Sequence, residues 1–167
     1  MRLKNYLLVV GDIEKSKKFY KELFDLETVS SFEGNIVLSS SLVLQERGAW
    51  EEVLGEEVSQ GHAFCELYFE TEDLDFFLKR LYGYGERVKV FSELRERAWG
   101  QRMIRVFDPD HHLIEIAESA HAVIRRLYRE KMDMDEIARK TGSPKVEIEA
   151  VCGVKEANAS EEERDFG

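Results

Sequence analysis

One arrangement occurs twice along this chain: a strand, a helix and then three more strands. That repetition constrains the fold more than any single motif. In "LKNYLLVVGD" (3–12), Leu3, Asn5, Leu7 and Val9 alternate with Lys4, Tyr6, Leu8 and Val10, the period of a strand. Asp12 is placed to cap the helix "IEKSKKFYKELFDL", in which Ile13, Ser16, Phe19, Tyr20, Leu23 and Phe24 share one face. Strands are predicted at about 27–33, 35–39 and 42–46, with "EGN" as a hairpin signal between the first two. After the polar, partly helical connector "ERGAWEEVLGEEVSQG", the plan returns. The strand "HAFCELYFE" (62–70) leads into the helix "LDFFLKRLYG", capped by Thr71 or Asp73 and stopping at Gly83. Strands follow near 87–94, 101–107 and 112–118.

Composition narrows the class of partner. With 24 basic and 34 acidic residues the net charge is −10, which disfavours nucleic acid and anionic membranes. No apolar run reaches membrane-spanning length, and "MRLKNYLLVV" lacks the features of a signal peptide, so a cytoplasmic protein is expected. Cys65 and Cys152 show no metal or redox spacing and read as buried or incidental thiols.

The quoted segments carry a family resemblance. The opening "MRLKNYLLVVGDIEKSKKFYKELFDLE", with its "VGD", a following Ser and "FY", resembles a glyoxalase I N-terminus. "ELYFETEDLD" resembles the start of the second unit, and "FDPDHHLIEIAE" the closing hairpin. Over residues 1–118 the chain resembles the vicinal oxygen chelate superfamily, which holds glyoxalase I, bleomycin-resistance proteins, fosfomycin-resistance enzymes and extradiol dioxygenases. The resemblance implies an α+β fold: two βαβββ units (about 3–46 and 62–118) forming curved mixed sheets around a cleft, often in a homodimer.

It also implies a set of site residues. The family's four metal-ligand positions fall on Asn5, Gln45, Glu66 and Glu115, a set without imidazole. Iron dioxygenase chemistry is disfavoured, because facial-triad sites need two histidines. The oxygen-only set suits Mg²⁺, Mn²⁺ or Ca²⁺; Ni²⁺ or Zn²⁺ are the family's other metals, and the drug-sequestering branch uses none. Glu66 and Glu115 are the candidate catalytic acid and base, since two carboxylates in one cleft split their proton affinities. Arg105, where fosfomycin-resistance enzymes have a substrate-contacting tyrosine, shares a strand face with Met103. It is expected either to pair with a carboxylate or to grip an anionic substrate.

Alternation adds support independent of the family. In 62–70, Ala63, Cys65, Leu67 and Phe69 form an apolar face, and His62, Phe64, Glu66, Tyr68 and Glu70 form a mixed aromatic and acidic one. Phe64 and Tyr68 from this face, Met103 and Arg105 as the family resemblance implies, and Trp99 on the Gly-containing bend "ERAWGQR" are the candidate substrate-binding residues, and Trp50 in the connector is a second aromatic that either closes the cleft or anchors the core. Five polar groups crowd the closing hairpin: Asp108, Asp110, His111, His112 and Glu115. Asp108-Pro109-Asp110 reads as a turn, His111 as a residue in the left-handed region and His112 as the start of a strand, leaving Glu115 to face the site.

Residues 119–153 read as a helical extension resembling a helix-turn-helix. Ser119 caps its first helix, Pro144 lies in the first turn of the last and Gly153 stops it. Lys145 is outweighed by Glu147 and Glu149, so DNA binding is not expected. Residues 154–167 form an acidic tail of disordered composition. The leading expectation is a glyoxalase-like enzyme, a lyase or isomerase acting on a small metabolite by carboxylate chemistry, with or without a divalent metal. The competing one is a non-catalytic protein that sequesters a drug-like or aromatic molecule. A weaker third is a ligand sensor that uses the C-terminal helices.

Overall fold

The computed structural model describes residues 5–32, 34–58, 66–85 and 88–153. The first unit runs β1 (Tyr6–Val10), α1 (Ile13–Phe24), β2 (Thr28–Phe32), β3 (Asn35–Leu38), a short 3₁₀ turn (Ser39–Ser41) and β4 (Leu42–Glu46). After α2 (Arg47–Leu54), the second unit runs β5 (Glu66–Thr71), α3 (Leu74–Tyr84), β6 (Lys89–Glu96), β7 (Arg102–Phe107) and β8 (Leu113–Glu118). Each unit forms one four-stranded mixed sheet, ordered β1-β4-β3-β2 and β5-β8-β7-β6. The first strand of each unit lies parallel to the last, and the remaining pairs are antiparallel. The predicted duplication and α+β class are therefore both present.

Local chemistry explains the elements. The Asp12 and Asp73 carboxylates accept from Lys15 N and Phe76 N, satisfying amides that the first turns of α1 and α3 leave open. Leu8, Val10, Ile36 and Leu44 of the first sheet and Ile104, Val106, Ile114 and Ile116 of the second meet Phe19, Leu23, Phe77 and Leu81 of the two helices in one apolar cluster. By alternation, each sheet turns its other face away from that core. One such face carries Leu7, Val9, Val43 and Gln45; the other carries Glu66, Tyr68, Met103, Arg105 and Glu115.

Several boundaries move. α3 continues through Gly83 to Tyr84 and is capped by Gly85 at φ 72°. Glycine weakens a helix without ending it; the stop comes where the backbone must turn left-handed. β6 starts two residues later than expected and pairs with β7 through two irregularities, at Val90/Ser92 and Ser92/Arg95. β1 begins at Tyr6, leaving Asn5 just ahead of it; Leu3 and Lys4 lie outside the described residues.

The hairpin turn holds more than a turn. Asp108 and Asp110 are buried and tie the two units together. Asp110 accepts from Gly11 N (2.8 Å) and Ser16 Oγ (3.0 Å), and Asp108 accepts from Tyr20 OH at 2.9 Å. His111 takes the left-handed conformation at φ 68°, as expected. His112 lies just before β8, its Nδ1 donating to Asp108 Oδ2 (2.8 Å).

Three further helices follow: α4 (Ala120–Arg129), α5 (Met134–Thr141) and α6 (Lys145–Cys152). They share a small core of Val123, Ile124, Leu127, Ile137 and Ile148. Ser119 caps α4, as expected. Pro144 is the residue preceding α6 rather than a member of its first turn, because its extended ψ of 143° is not helical. Lys145 pairs with Asp135, and Glu147 with His121. The acidic tail from 154 onward lies outside the described residues.

Glu118 anchors this extension. Its buried carboxylate accepts from Arg102 Nε (2.9 Å) and Arg126 Nε (3.0 Å). Burial alone would raise its carboxyl, but the two guanidinium groups hold it below the usual range. Arg126 also donates to Gly100 O. Gly100, at φ 87°, lets the β6–β7 bend nest against the helices, and an added Cβ would meet Lys140 Cε at 3.0 Å and Leu127 Cδ1 at 3.3 Å. Gly100→Ala is therefore expected to cost more than about 1 kcal/mol in urea denaturation, through both backbone strain and crowding.

Candidate functional site

The site candidates of the second sheet converge on Arg105. Arg105 and Glu115 are direct cross-strand partners in β7 and β8, and Tyr68 of β5 is the register partner of Glu115. Arg105 Nε donates to Glu66 Oε1 at 2.7 Å. Its Nη2 contacts Glu115 Oε2 as an ion pair whose alignment falls short of a hydrogen bond. One guanidinium thus bridges two carboxylates, one nearly enclosed and one open to solvent: the side chains of Glu115 and Glu66 are 6% and 32% exposed.

Burial raises the Glu115 carboxyl above its ordinary value, with the Glu66 charge adding to the effect and Arg105 opposing it. A carboxyl that holds its proton more readily stands beside one that faces solvent, an arrangement suited to moving a proton on a small molecule. The Arg105 guanidinium is raised by its hydrogen bond to Glu66 and stays charged.

Along the rim, Trp99 Nε1 donates to Gln101 Oε1 (3.0 Å), and Gln101 Nε2 donates to Tyr68 OH (3.0 Å) and to Glu118 O (2.7 Å). Tyr68 OH in turn donates to Glu70 Oε1 at 2.9 Å. Burial and the Glu70 acceptor raise the Tyr68 phenol, so it remains a donor. Trp99 and Tyr68 are both exposed, forming an aromatic edge joined by an amide. Sequence reasoning passed over Gln101, although the alternation that pairs Met103 with Arg105 reaches it one step earlier. It also passed over Arg97, whose Nε donates to Met103 Sδ at 2.9 Å and whose charge acts on Glu115.

The other expected residues are placed differently. Met103 is buried under Arg97. Trp50 is half-buried in α2, and Phe64 lies outside the described residues. Asn5 and Gln45 belong to the first sheet's side of the molecule. Gln45 is buried and donates to Glu46 O (3.3 Å) and Gly34 O (3.5 Å). Among the described residues, no hydrogen bond or ion pair joins Asn5 or Gln45 to Glu66 or Glu115. No three His, Cys, Asp or Glu side chains among them cluster as a metal would require. The two carboxylates also already share a cation, Arg105, so the donors within one chain do not fit a metal ion.

Comparisons with known proteins agree with this architecture. The family described as a glyoxalase-like domain matches residues 3–121. Fosfomycin resistance protein FosX of Listeria innocua is 28% identical over 118 residues, covering 68% of this chain and 86% of the relative. The uncharacterized protein YraH of Bacillus subtilis is 32% identical over 127 residues, covering 70% and 97%. A crystal structure of a protein of unknown function from Agrobacterium tumefaciens superposes with a TM-score of 0.63 at 30% identity, over 71% of this chain and 94% of that one. Lactoylglutathione lyase from the same organism superposes at 0.57 with 17% identity, over 71% and 93%, and shares the fold. Helices α5 and α6 lie beyond the family match. The chain belongs to the family of glyoxalase-like domain proteins, within the vicinal oxygen chelate superfamily.

Proposed function

We propose that the protein is a small-molecule enzyme whose acid–base pair is Glu66 and Glu115, with Arg105 as the charge that binds and orients an oxygen-rich anionic substrate. The observation that carries this reading is the single guanidinium held between two carboxylates of unequal burial. Arg105 leaves one carboxylate to take a substrate oxyanion, an exchange that its planar fork favours. Glu66 removes a proton next to a carbonyl or hydroxyl carbon, and the resulting enediolate is neutralised by Arg105. Glu115 returns a proton to the adjacent carbon or oxygen, giving a lyase or isomerase outcome. Tyr68 and Gln101 hold the substrate's polar edge, and Trp99 covers its apolar one.

The cleft in this reading closes across a homodimer, the first sheet of one copy facing the second sheet of the other. Exposed Leu7 and Phe32 in the first sheet and exposed Tyr68 and Phe91 in the second favour a partner surface over solvent. A divalent metal would have to compete with Arg105 for both carboxylates, so no step is assigned to one.

The exposed aromatic edge of Trp99 and Tyr68 favours a second reading, in which the same face sequesters an aromatic ligand without turnover. One experiment separates the two. Purified protein is given the methylglyoxal–glutathione hemithioacetal or fosfomycin, with consumption followed by NMR and binding by calorimetry. These probes are chosen because lactoylglutathione lyase shares the fold and a fosfomycin resistance protein is similar in sequence. Turnover that falls at least about a hundredfold in the Glu66→Gln, Glu115→Gln double variant is expected. Full turnover in that variant rejects the acid–base assignment, and binding without turnover of either compound supports sequestration.

A further inference from the structure

The C-terminal helices do more than lengthen the chain. With α3, helices α4 and α6 line a groove of about 620 Å³ that includes no residue of the Arg105 cluster. Its size falls within the range of about 300–1,000 Å³ common to small-molecule sites. Helical spacing builds its walls: Phe76 and Lys79 lie one turn apart on α3, and Ala122, Arg125 and Arg129 share a face of α4. Val151 and Cys152, at the end of α6, close it.

The charges in the groove are unevenly satisfied. Arg102 serves both Asp75 and Glu118. Arg125 and the Ser119 hydroxyl serve Glu72, and Asp73 is engaged as the cap of α3. Lys79 and Arg129 form no salt bridge among the described residues: the Lys79 charge acts on Asp75 without contact, and Arg129 Nε donates only to the Arg125 carbonyl at 3.3 Å. Exposed aromatic rings stand with them: Phe76 is 57% exposed and Tyr128 39%. Two cations outside any salt bridge among the described residues, beside two solvent-exposed rings, one of which (Phe76) has Arg80 over it at 5.9 Å from its centroid, suit a ligand that is flat at one end and negatively charged at the other.

We propose that this groove is a second small-molecule site, taking an aromatic or similarly flat apolar body that carries one anionic group. The ring lies between Phe76 and Tyr128, and the anion reaches Lys79 and Arg129. Because Arg129 and Cys152 come from α4 and α6, the site exists only where those two helices are in place beside α3. Cys152 serves as a reporter from within the groove.

The test uses 8-anilinonaphthalene-1-sulfonate, a naphthalene bearing one sulfonate, with the unmodified full chain. Saturable one-to-one binding is expected by fluorescence titration. The Lys79→Glu, Arg129→Glu double variant should weaken it at least about tenfold, while the charge-conserving Lys79→Arg, Arg129→Lys variant stays within about twofold. Arg105→Met should leave it unchanged. In the unmodified protein, saturating probe should slow iodoacetamide alkylation of Cys152, followed by peptide mass, by at least about fivefold. No saturable binding, equal affinity in the charge-reversed variant, an unprotected Cys152, or loss of binding in Arg105→Met would each overturn the proposal. None of these outcomes bears on the acid–base role of Glu66 and Glu115.

Discussion

Arg105→Met is expected to lower ligand affinity at the carboxylate cluster about a hundredfold and to destabilise the protein by about 2 kcal/mol at pH 7.5. The side chain keeps much of its apolar bulk, so the loss isolates charge. Without the guanidinium, Glu66 and Glu115 face each other uncompensated, and Glu115 is buried. The destabilisation should depend on pH in a definite direction. Burial already raises the Glu115 carboxyl, and removing its cationic partner raises it further. A carboxyl with a folded-state value above its unfolded one is most favourable to folding below the unfolded value, about 4.3. That advantage is lost as pH rises through the folded value. Urea denaturation should therefore show a small deficit near pH 4 that grows toward neutrality. Adding Glu115→Gln to the variant should recover about 1 kcal/mol or more at pH 7.5, because it removes the stranded charge. A deficit that is the same at both pH values, with no recovery in the double variant, would mean that Arg105 contributes packing rather than charge. The ligand used is whichever of fosfomycin or the hemithioacetal the unmodified protein takes.

Much of the scaffold was legible because it rests on local rules. Alternation placed Leu67 and Phe69 against the core and Glu66 and Tyr68 away from it, and both pairs lie so. Asp12 and Ser119 could be recognised as caps because a side-chain oxygen ahead of an amphipathic run has little else to do. What sequence could not supply was distance across the fold. Asp110 and Gly11 are 99 residues apart and share a hydrogen bond, and neither residue type announces that partner. The aspartates of "DPD" read as turn formers because turn chemistry is local, whereas their bonds to α1 are set by how the units pack. Sequence alone leaves Arg105 open to pairing with a carboxylate or to gripping a substrate. The structure pairs it with Glu66 and Glu115 together, which required knowing that β5, β8 and β7 are adjacent.

The largest effect on stability is expected at Asp108. Its side chain is fully buried and takes four hydrogen bonds: from Asp110 N (2.9 Å), His112 N (2.8 Å), His112 Nδ1 (2.8 Å) and Tyr20 OH (2.9 Å). Tyr20 is itself enclosed, and burial together with Asp108 raises its phenol so that it remains the donor. Asp108→Ala strands the Tyr20 hydroxyl and the Asp110 amide away from water and unties the partly exposed His112, at an expected cost of about 3 kcal/mol, or roughly 6–12 °C in Tm. Asp108→Asn keeps an acceptor for the two amides and should lose about half as much. His112 gives this lock a pH dependence. Burial opposes its charged form, but the hydrogen bond and charge of Asp108 prevail, and its value is raised above 6.5. For a raised histidine, the added stability is complete below the unfolded value and lost as pH rises through the folded one. Tm should therefore decline from about pH 6.5 upward in the unmodified protein, and this part of the decline should be missing in His112→Asn. An identical slope in that variant would assign the decline to other groups. Because Asp108 binds Tyr20 of α1 while its own hairpin leads into β8, loosening it also frees the strand that carries Glu115. Asp108→Asn is thus expected to weaken ligand binding although it touches no residue of the site, and the Asp108→Asn, His112→Asn double variant should lose less than the sum of the two, since both changes act on one bond.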